Sequence, residues 1–187
     1  MNILVIIGHP DSASFNHAIA QRVHETLHGN GHDVVFHDLF VEGFDPVLRK
    51  EEIPQDGPVP PPIQRHCEEL RSAEGIVIIH PDWWGQPPAV LKGWIDRVFR
   101  PGVAYRFSEG DGGEGVPVGL LRMHAALVIN TSNTPPEREL TVFGDPLEAL
   151  WRRCIFDLIK SSSAKHRLNC LVKADGCGRF RCCMRIS

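Results

Sequence analysis

No apolar run in this chain approaches the ~18 residues that a membrane-crossing helix needs. The opening stretch Met1–Ile7 is short and leads straight into Gly8-His9-Pro10. A basic segment followed by an apolar core and a small-residue cleavage site is also missing, so no secretory leader is expected and a cytoplasmic location is. Charge of one sign is not in excess either. The net charge is −3 over 187 residues with a pI near 6.3, which argues against nucleic acid as the main partner. The six cysteines include no C-x-x-C pair, and no nearby His pair completes a zinc pattern. No metal site is therefore expected, and reduced thiols are. Gly8–Asn16 lacks the glycines of a G-x-G-x-x-G loop and the G-K-[ST] of a P-loop, so neither nucleotide site is supported.

What remains is the composition of one ordinary globular domain, 42% apolar and 23% charged. Ile3–Ile7 is a continuous β-branched run, the pattern of a strand buried on both faces. Phe15, Ile19, Val23 and Leu27 then recur every four residues, predicting a helix with one buried stripe that stops at Gly29. Val34–Phe36 reads as a short strand, 39–62 as an irregular connection ending in prolines, and Ile63, Cys67, Leu70 and Ala73 as a second helix. Ile76–Ile79 repeats the buried-strand pattern. After Pro87-Pro88, a third helix would bury Val90, Leu91, Trp94, Ile95, Val98 and Phe99, with Lys92, Asp96 and Arg100 as a charged row opposite. Glu109–Gly115 reads as an acidic, glycine-rich surface loop, and Ala125–Ile129 as a fourth strand. Asp145-Pro146-Leu147-Glu148 supplies an N-cap, a proline at the first helical position and a glutamate at the third. The helix it opens would bury Leu147, Leu150, Trp151, Cys154, Ile155 and Leu158.

Strands alternating with helices predict an α/β fold: a doubly wound parallel sheet with helices on both faces. Ligands of such sheets sit beyond the carboxyl ends of the strands, where strand order switches. Three segments follow strands there. Gly8–Asn16 offers hydroxyls and amides at a helix start, fit either to cap the helix or to take a phosphate. His80–Pro88 contains Trp83-Trp84 between prolines, a stiff aromatic wall suited to a planar heteroaromatic ligand, or one core indole beside a partner-facing one. Asn130–Thr134 is rich in donors, fit to bind ring heteroatoms or to turn the chain.

Gly8-His9-Pro10 with Ser14-Phe15-Asn16, Phe44-Asp45-Pro46-Val47-Leu48, and above all the Pro81–Phe99 block with Leu91-Lys92-Gly93-Trp94 and Asp96-Arg97-Val98-Phe99 resemble the flavodoxin-like NAD(P)H:quinone oxidoreductases. The resemblance covers residues 1–158, taken as a flavin-binding domain. It implies a flavin, FAD rather than FMN although no residue separates them, with NAD(P)H as electron donor. By family position, His9, Ser14, Phe15, Asn16 and His17 would take its phosphate end. Pro81, Asp82, Trp83, Trp84 and Gly85 would line the ring, and Asn130, Thr131, Ser132 and Asn133 would reach its polar edge. Tyr105, with Phe107, falls where the family contributes to the substrate pocket, often across a dimer interface, so a homodimer is implied. The implied reaction is two-electron, ping-pong reduction of a quinone or similar acceptor: nicotinamide delivers a hydride and leaves, and the quinone takes its place. A flavin-binding ancillary subunit of a membrane transporter is the alternative.

The chain departs from the family twice. Animal quinone reductases place a Tyr and a His after the third loop as a proton relay. Here residues 131–144 hold neither, and Phe143 lies about where that His would be. Beyond Leu158 the sequence turns basic and cysteine-rich: residues 160–187 carry seven Lys and Arg against Asp175 alone. Residues 159–187 are therefore set apart as an atypical tail, either an altered reading frame or a basic extension for an acidic surface. Leu168–Val172 could still add an edge strand, and no closing amphipathic helix is visible in 176–187.

Overall fold

The computed structural model describes residues 1–107, 117–159, 169–175 and 180–182. A six-stranded sheet runs β2-β1-β3-β6-β7-β8, built from β1 (Asn2–Ile7), β2 (Asp33–Asp38), β3 (Gly75–Pro81), β6 (Ala125–Ser132), β7 (Asn169–Asp175) and β8 (Phe180–Cys182). Its first five strands are parallel and β8 is antiparallel to β7. The small hairpin of β4 (Tyr105–Arg106) and β5 (Val118–Gly119) stands apart from it. The order reverses between β1 and β3, the switch expected of a doubly wound sheet.

Burial on both faces explains why β1 and β3 read as unbroken apolar runs. Leu4, Ile6, Ile76 and Ile78 face the larger core under α2 (Pro61–Ser72) and α3 (Ala89–Val98). Ile3, Val5, Ile7, Val77 and Ile79 face the smaller core, which α1 (Phe15–Gly29) closes with Ile19 and Ala20. The residues of each strand alternate between the two, as the pleat requires. Phe15 is the exception to its predicted stripe: it is 44% exposed and turns toward the carboxyl end of the sheet.

One side chain of the row expected to face solvent, Arg100 just past the end of α3, leaves it. Lys92 and Asp96 do pair on the surface at 2.6 and 2.8 Å. Arg100 instead is buried and donates to the carbonyls of Glu52 and Pro54. Arg97 makes a buried two-pronged pair with Glu52 (3.0 and 2.8 Å) and donates to the Asp45 carbonyl. These guanidinium groups fasten the 39–60 connection to α3, which is why a segment with little regular structure packs tightly. Gly93 makes the approach possible, since a Cβ there would collide with the backbone of Pro46.

The last helical stretch differs from the regular helix predicted. Asp145 caps it, accepting from the Glu148 amide at 3.2 Å. After α5 (Pro146–Glu148), however, Ala149–Phe156 is a π-helix, with the Asp157 amide reaching back to the Arg152 carbonyl, before α6 (Asp157–Ile159) resumes. The wider turn rotates the buried face. Trp151, Ile155, Phe156 and Ile159 are buried, while Cys154, expected inside, is exposed. Beyond it β7 pairs in parallel with β6 over Asn169–Asp175, so the strand expected at 168–172 forms but not at the edge: β8 pairs with its other side and is the edge strand instead. The acidic loop at 109–115 and most of the basic tail lie outside the described residues.

Candidate functional site

The loops after β1, β3 and β6 converge on a cleft of about 980 Å³ at the carboxyl end of the sheet. At its first wall, Ser14 caps α1 in an extended conformation, its Oγ accepting from the His17 amide at 3.3 Å. Asn16 is buried, and its Nδ2 donates to Thr131 Oγ1 at 3.0 Å, tying the first loop to the third. Among the described residues, the Oδ1 of Asn16 has no hydrogen-bond partner. A buried acceptor left open at a cleft wall is a place for a ligand hydroxyl or N–H. The positive end of α1 beside it favours a phosphate.

The second wall is a tight turn. Trp83 and Gln86 exchange backbone hydrogen bonds of 3.1 Å, and the two residues between them have positive φ, Trp84 at 61° and Gly85 at 71°. That is the geometry of a type I′ turn. Asp82 braces it, its Oδ1 accepting from the Gly85 amide at 2.8 Å while its own amide donates to the Thr131 carbonyl at 2.7 Å. The turn holds both indoles at the cleft, Trp84 fully exposed and Trp83 within 6.1 Å of the His9 ring. Neither tryptophan enters the core, and both border the cleft.

Thr131 and Ser132 lie in β6 itself, which runs three residues further than expected, and Asn133 follows; all three line the cleft, as does Thr134. Opposite stand Glu139, Val142 and Phe143 of the α4 segment (Pro136–Val142 and the residue after it), with Pro146. This helix was missed because Leu140 and Val142 are exposed and leave no apolar stripe; Pro136 at the first helical position was the available signal.

The structure thus brings together His9, Ser14, Phe15, Asn16, Pro81–Gly85 and Thr131–Asn133. Four other candidates lie elsewhere. His17 stands behind the wall, between Ser14 and Asp38. Asn130 is fully buried beneath it, where β6 pairs with His80, and among the described residues neither atom of its side-chain amide has a partner. Tyr105 and Phe107 pack edge to face on one another, with centroids 5.6 Å apart, away from the cleft. Extending the strand through Asn130 turned its side chain inward, and the β4–β5 hairpin carried Tyr105 off.

A family model described as flavodoxin-like fold matches residues 1–167. The chain belongs to this flavodoxin-like family. An "Uncharacterized NAD(P)H oxidoreductase" of Haemophilus influenzae is 39% identical over 125 residues, 65% of this chain and 59% of that protein. The rat protein named "NAD(P)H dehydrogenase [quinone] 1" is 29% identical over 124 residues, covering 56% of this chain and 45% of the relative. The chain therefore spans about half the length of these curated relatives. Among solved structures, Smu.1420 of Streptococcus mutans superposes with a TM-score of 0.77 at 29% identity, over 94% of this chain and 87% of that one. A Bacillus anthracis FMN-dependent NADH-azoreductase shares the flavodoxin-like fold (TM-score 0.72, 18% identity, 94% and 87% covered).

Among the described residues, no helix of this flavodoxin-like chain is long and apolar enough to cross a membrane.

Proposed function

We propose that the cleft holds a flavin and that the chain is an NAD(P)H-dependent oxidoreductase acting on quinones or similar acceptors by a ping-pong route. The observation that carries this reading is the convergence of three loops: an indole wall faces donors of β6, and a helix start with an open buried acceptor closes one end. His9, Ser14, Phe15 and Asn16 would hold the phosphate and sugar-alcohol end, with Asn16 Oδ1 accepting a hydroxyl. Pro81–Gly85 would support the ring, and Thr131, Ser132 and Asn133 would offer donors at its polar edge. When bound, the flavin supplies the hydride chemistry and the protein supplies position.

The braces of the site set what its residues do. Asp82 is tied to both Gly85 and Thr131, so ring wall and polar edge keep one spacing. Trp83 and Trp84 would cover one face of a bound ring against water and leave the other open to the nicotinamide and the acceptor in turn. One fold neighbour is named an FMN-dependent NADH-azoreductase and the rat relative an NAD(P)H dehydrogenase [quinone], so FMN stands beside FAD in this proposal. Tyr105 and Phe107 would reach a pocket only from a second copy, which makes the homodimer part of the same proposal.

The test is a visible absorption spectrum followed by anaerobic NADPH. Flavin absorption that bleaches with NADPH and recovers with a quinone is the expected result. A colourless protein that neither FAD nor FMN can reconstitute would overturn the reading.

A further inference from the structure

Behind the phosphate wall, three side chains form a chain of hydrogen bonds that no ligand is needed to explain. His17 Nε2 lies 2.8 Å from Asp38 Oδ2, and His17 Nδ1 lies 2.9 Å from Ser14 Oγ. Asp38 is held as an acceptor: its Oδ1 takes the amides of Phe40 and Val41 at 3.1 and 3.2 Å. A carboxylate so placed only accepts, so Nε2 of His17 carries the hydrogen between them. In the neutral ring Nδ1 is then the lone-pair nitrogen, and Ser14 must spend its one hydroxyl hydrogen on it. Ser14 Oγ also accepts from the His17 amide. It lines the cleft, yet in this state it has no hydrogen to offer a phosphate oxygen.

A proton on Nδ1 reverses the chain. His17 then donates to Ser14 Oγ, the Ser14 hydrogen is free to turn into the cleft, and the imidazolium stays neutralised on its far side by Asp38. Among the described residues, the titratable groups facing His17 are Asp38 at the end of β2 and His9 of the first loop, whose ring stands edge-on with centroids 6.1 Å apart. His9 Nδ1 is itself turned to the Asp11 amide at 3.1 Å, leaving Asp38 as the ionic partner.

We infer that Asp38 and His17 are positioning residues that make phosphate binding proton-linked: a phosphate-bearing ligand in the cleft draws one proton from solvent onto His17 Nδ1 and so turns the Ser14 hydroxyl toward the phosphate. The inference rests on the flavin reading for the identity of the ligand and on the Ser14–His17–Asp38 geometry for the linkage. Uncharged riboflavin offers the same ring without the phosphate and draws no proton.

Isothermal titration of the protein with FMN and with riboflavin, in two buffers of different ionisation heat near pH 7.5, counts the protons. There the free phosphate is mostly dianionic, its second pKa being ~6. Net proton uptake with FMN, none with riboflavin, and loss of that uptake in His17→Gln with about tenfold weaker FMN binding are expected. FMN binding without proton uptake, equal uptake with riboflavin, or uptake unchanged in His17→Gln would overturn the inference and leave the flavin reading standing. If neither flavin binds, the flavin reading falls. Inorganic phosphate titrated in the same buffers then decides the linkage: binding with uptake upholds it, and no binding or no uptake ends it.

Discussion

The indole Nε1 of Trp151 donates to Nε2 of His80 at 3.1 Å, joining the π-helical segment to the strand that carries the aromatic wall. His80 is fully buried and its Nδ1 lies 2.7 Å from the carbonyl of Pro81, the first cleft residue of that loop. Both ring nitrogens are thereby used, and the loop after β3 is anchored from below. Trp151→Phe would leave Nε2 buried without a donor as well as thinning the core. It should lower the unfolding free energy by about 2–3 kcal/mol. Urea denaturation measures this, and a change below about 0.5 kcal/mol would show that the contact anchors nothing.

Burial lowers the pKa of His80 to about 4, and burial together with the neighbouring His37 lowers that of His66 to about 4 as well. Both values lie below the ordinary 6.5, so as pH falls the unfolded chain takes up these protons first. Stability is therefore full above pH ~6.5 and is lost on acidification toward pH ~4. For His80 alone the loss amounts to about 3 kcal/mol across that window. Melting temperatures at neutral and mildly acid pH should fall accordingly, and by less in His80→Gln. An equal fall in that variant would assign the loss to other groups, His66 among them.

Trp84 carries a left-handed backbone (φ 61°) at full exposure, a conformation that stores about 1 kcal/mol in a residue of this size. Trp84→Gly should hold or slightly raise the melting temperature while weakening flavin retention severalfold. If stability drops as well, the indole has a structural role in the free protein.

Gly85, at φ 71°, must lack a side chain for a second reason: a Cβ would stand 2.7 Å from Cγ of Pro146. Gly85→Ala should cost about 1–3 kcal/mol and displace the turn from α5. A thermal melt with a tryptophan fluorescence spectrum reads both effects, and an unchanged melt would refute the collision.

Much of the fold was legible because its determinants are local. The β1 and β3 runs are apolar on both faces, and Asp145-Pro146 marks a helix start whatever surrounds it. The loop segments that would meet were legible too, since strand alternation places them at one end of a parallel sheet. Arg97 and Arg100 were not, because a guanidinium at a surface-looking helix position finds Glu52 and the 39–60 connection only after folding. Asn130 is a like case: one more residue of strand pairing turned a loop amide into a buried one.

The sequence by itself determined the doubly wound order, the three loops and the residue types at the cleft, because hydrophobic period and turn chemistry act over a few neighbouring residues. Only the tertiary structure decided which of those residues meet. It put the Asn16 amide on Thr131, 115 positions away, and withdrew His17 to Asp38. It also widened the last helix at Ala149–Phe156, so that Phe156 is buried where Cys154 had been expected. Such pairings depend on where distant backbones come to rest, and that is set by packing the whole sheet between its helices.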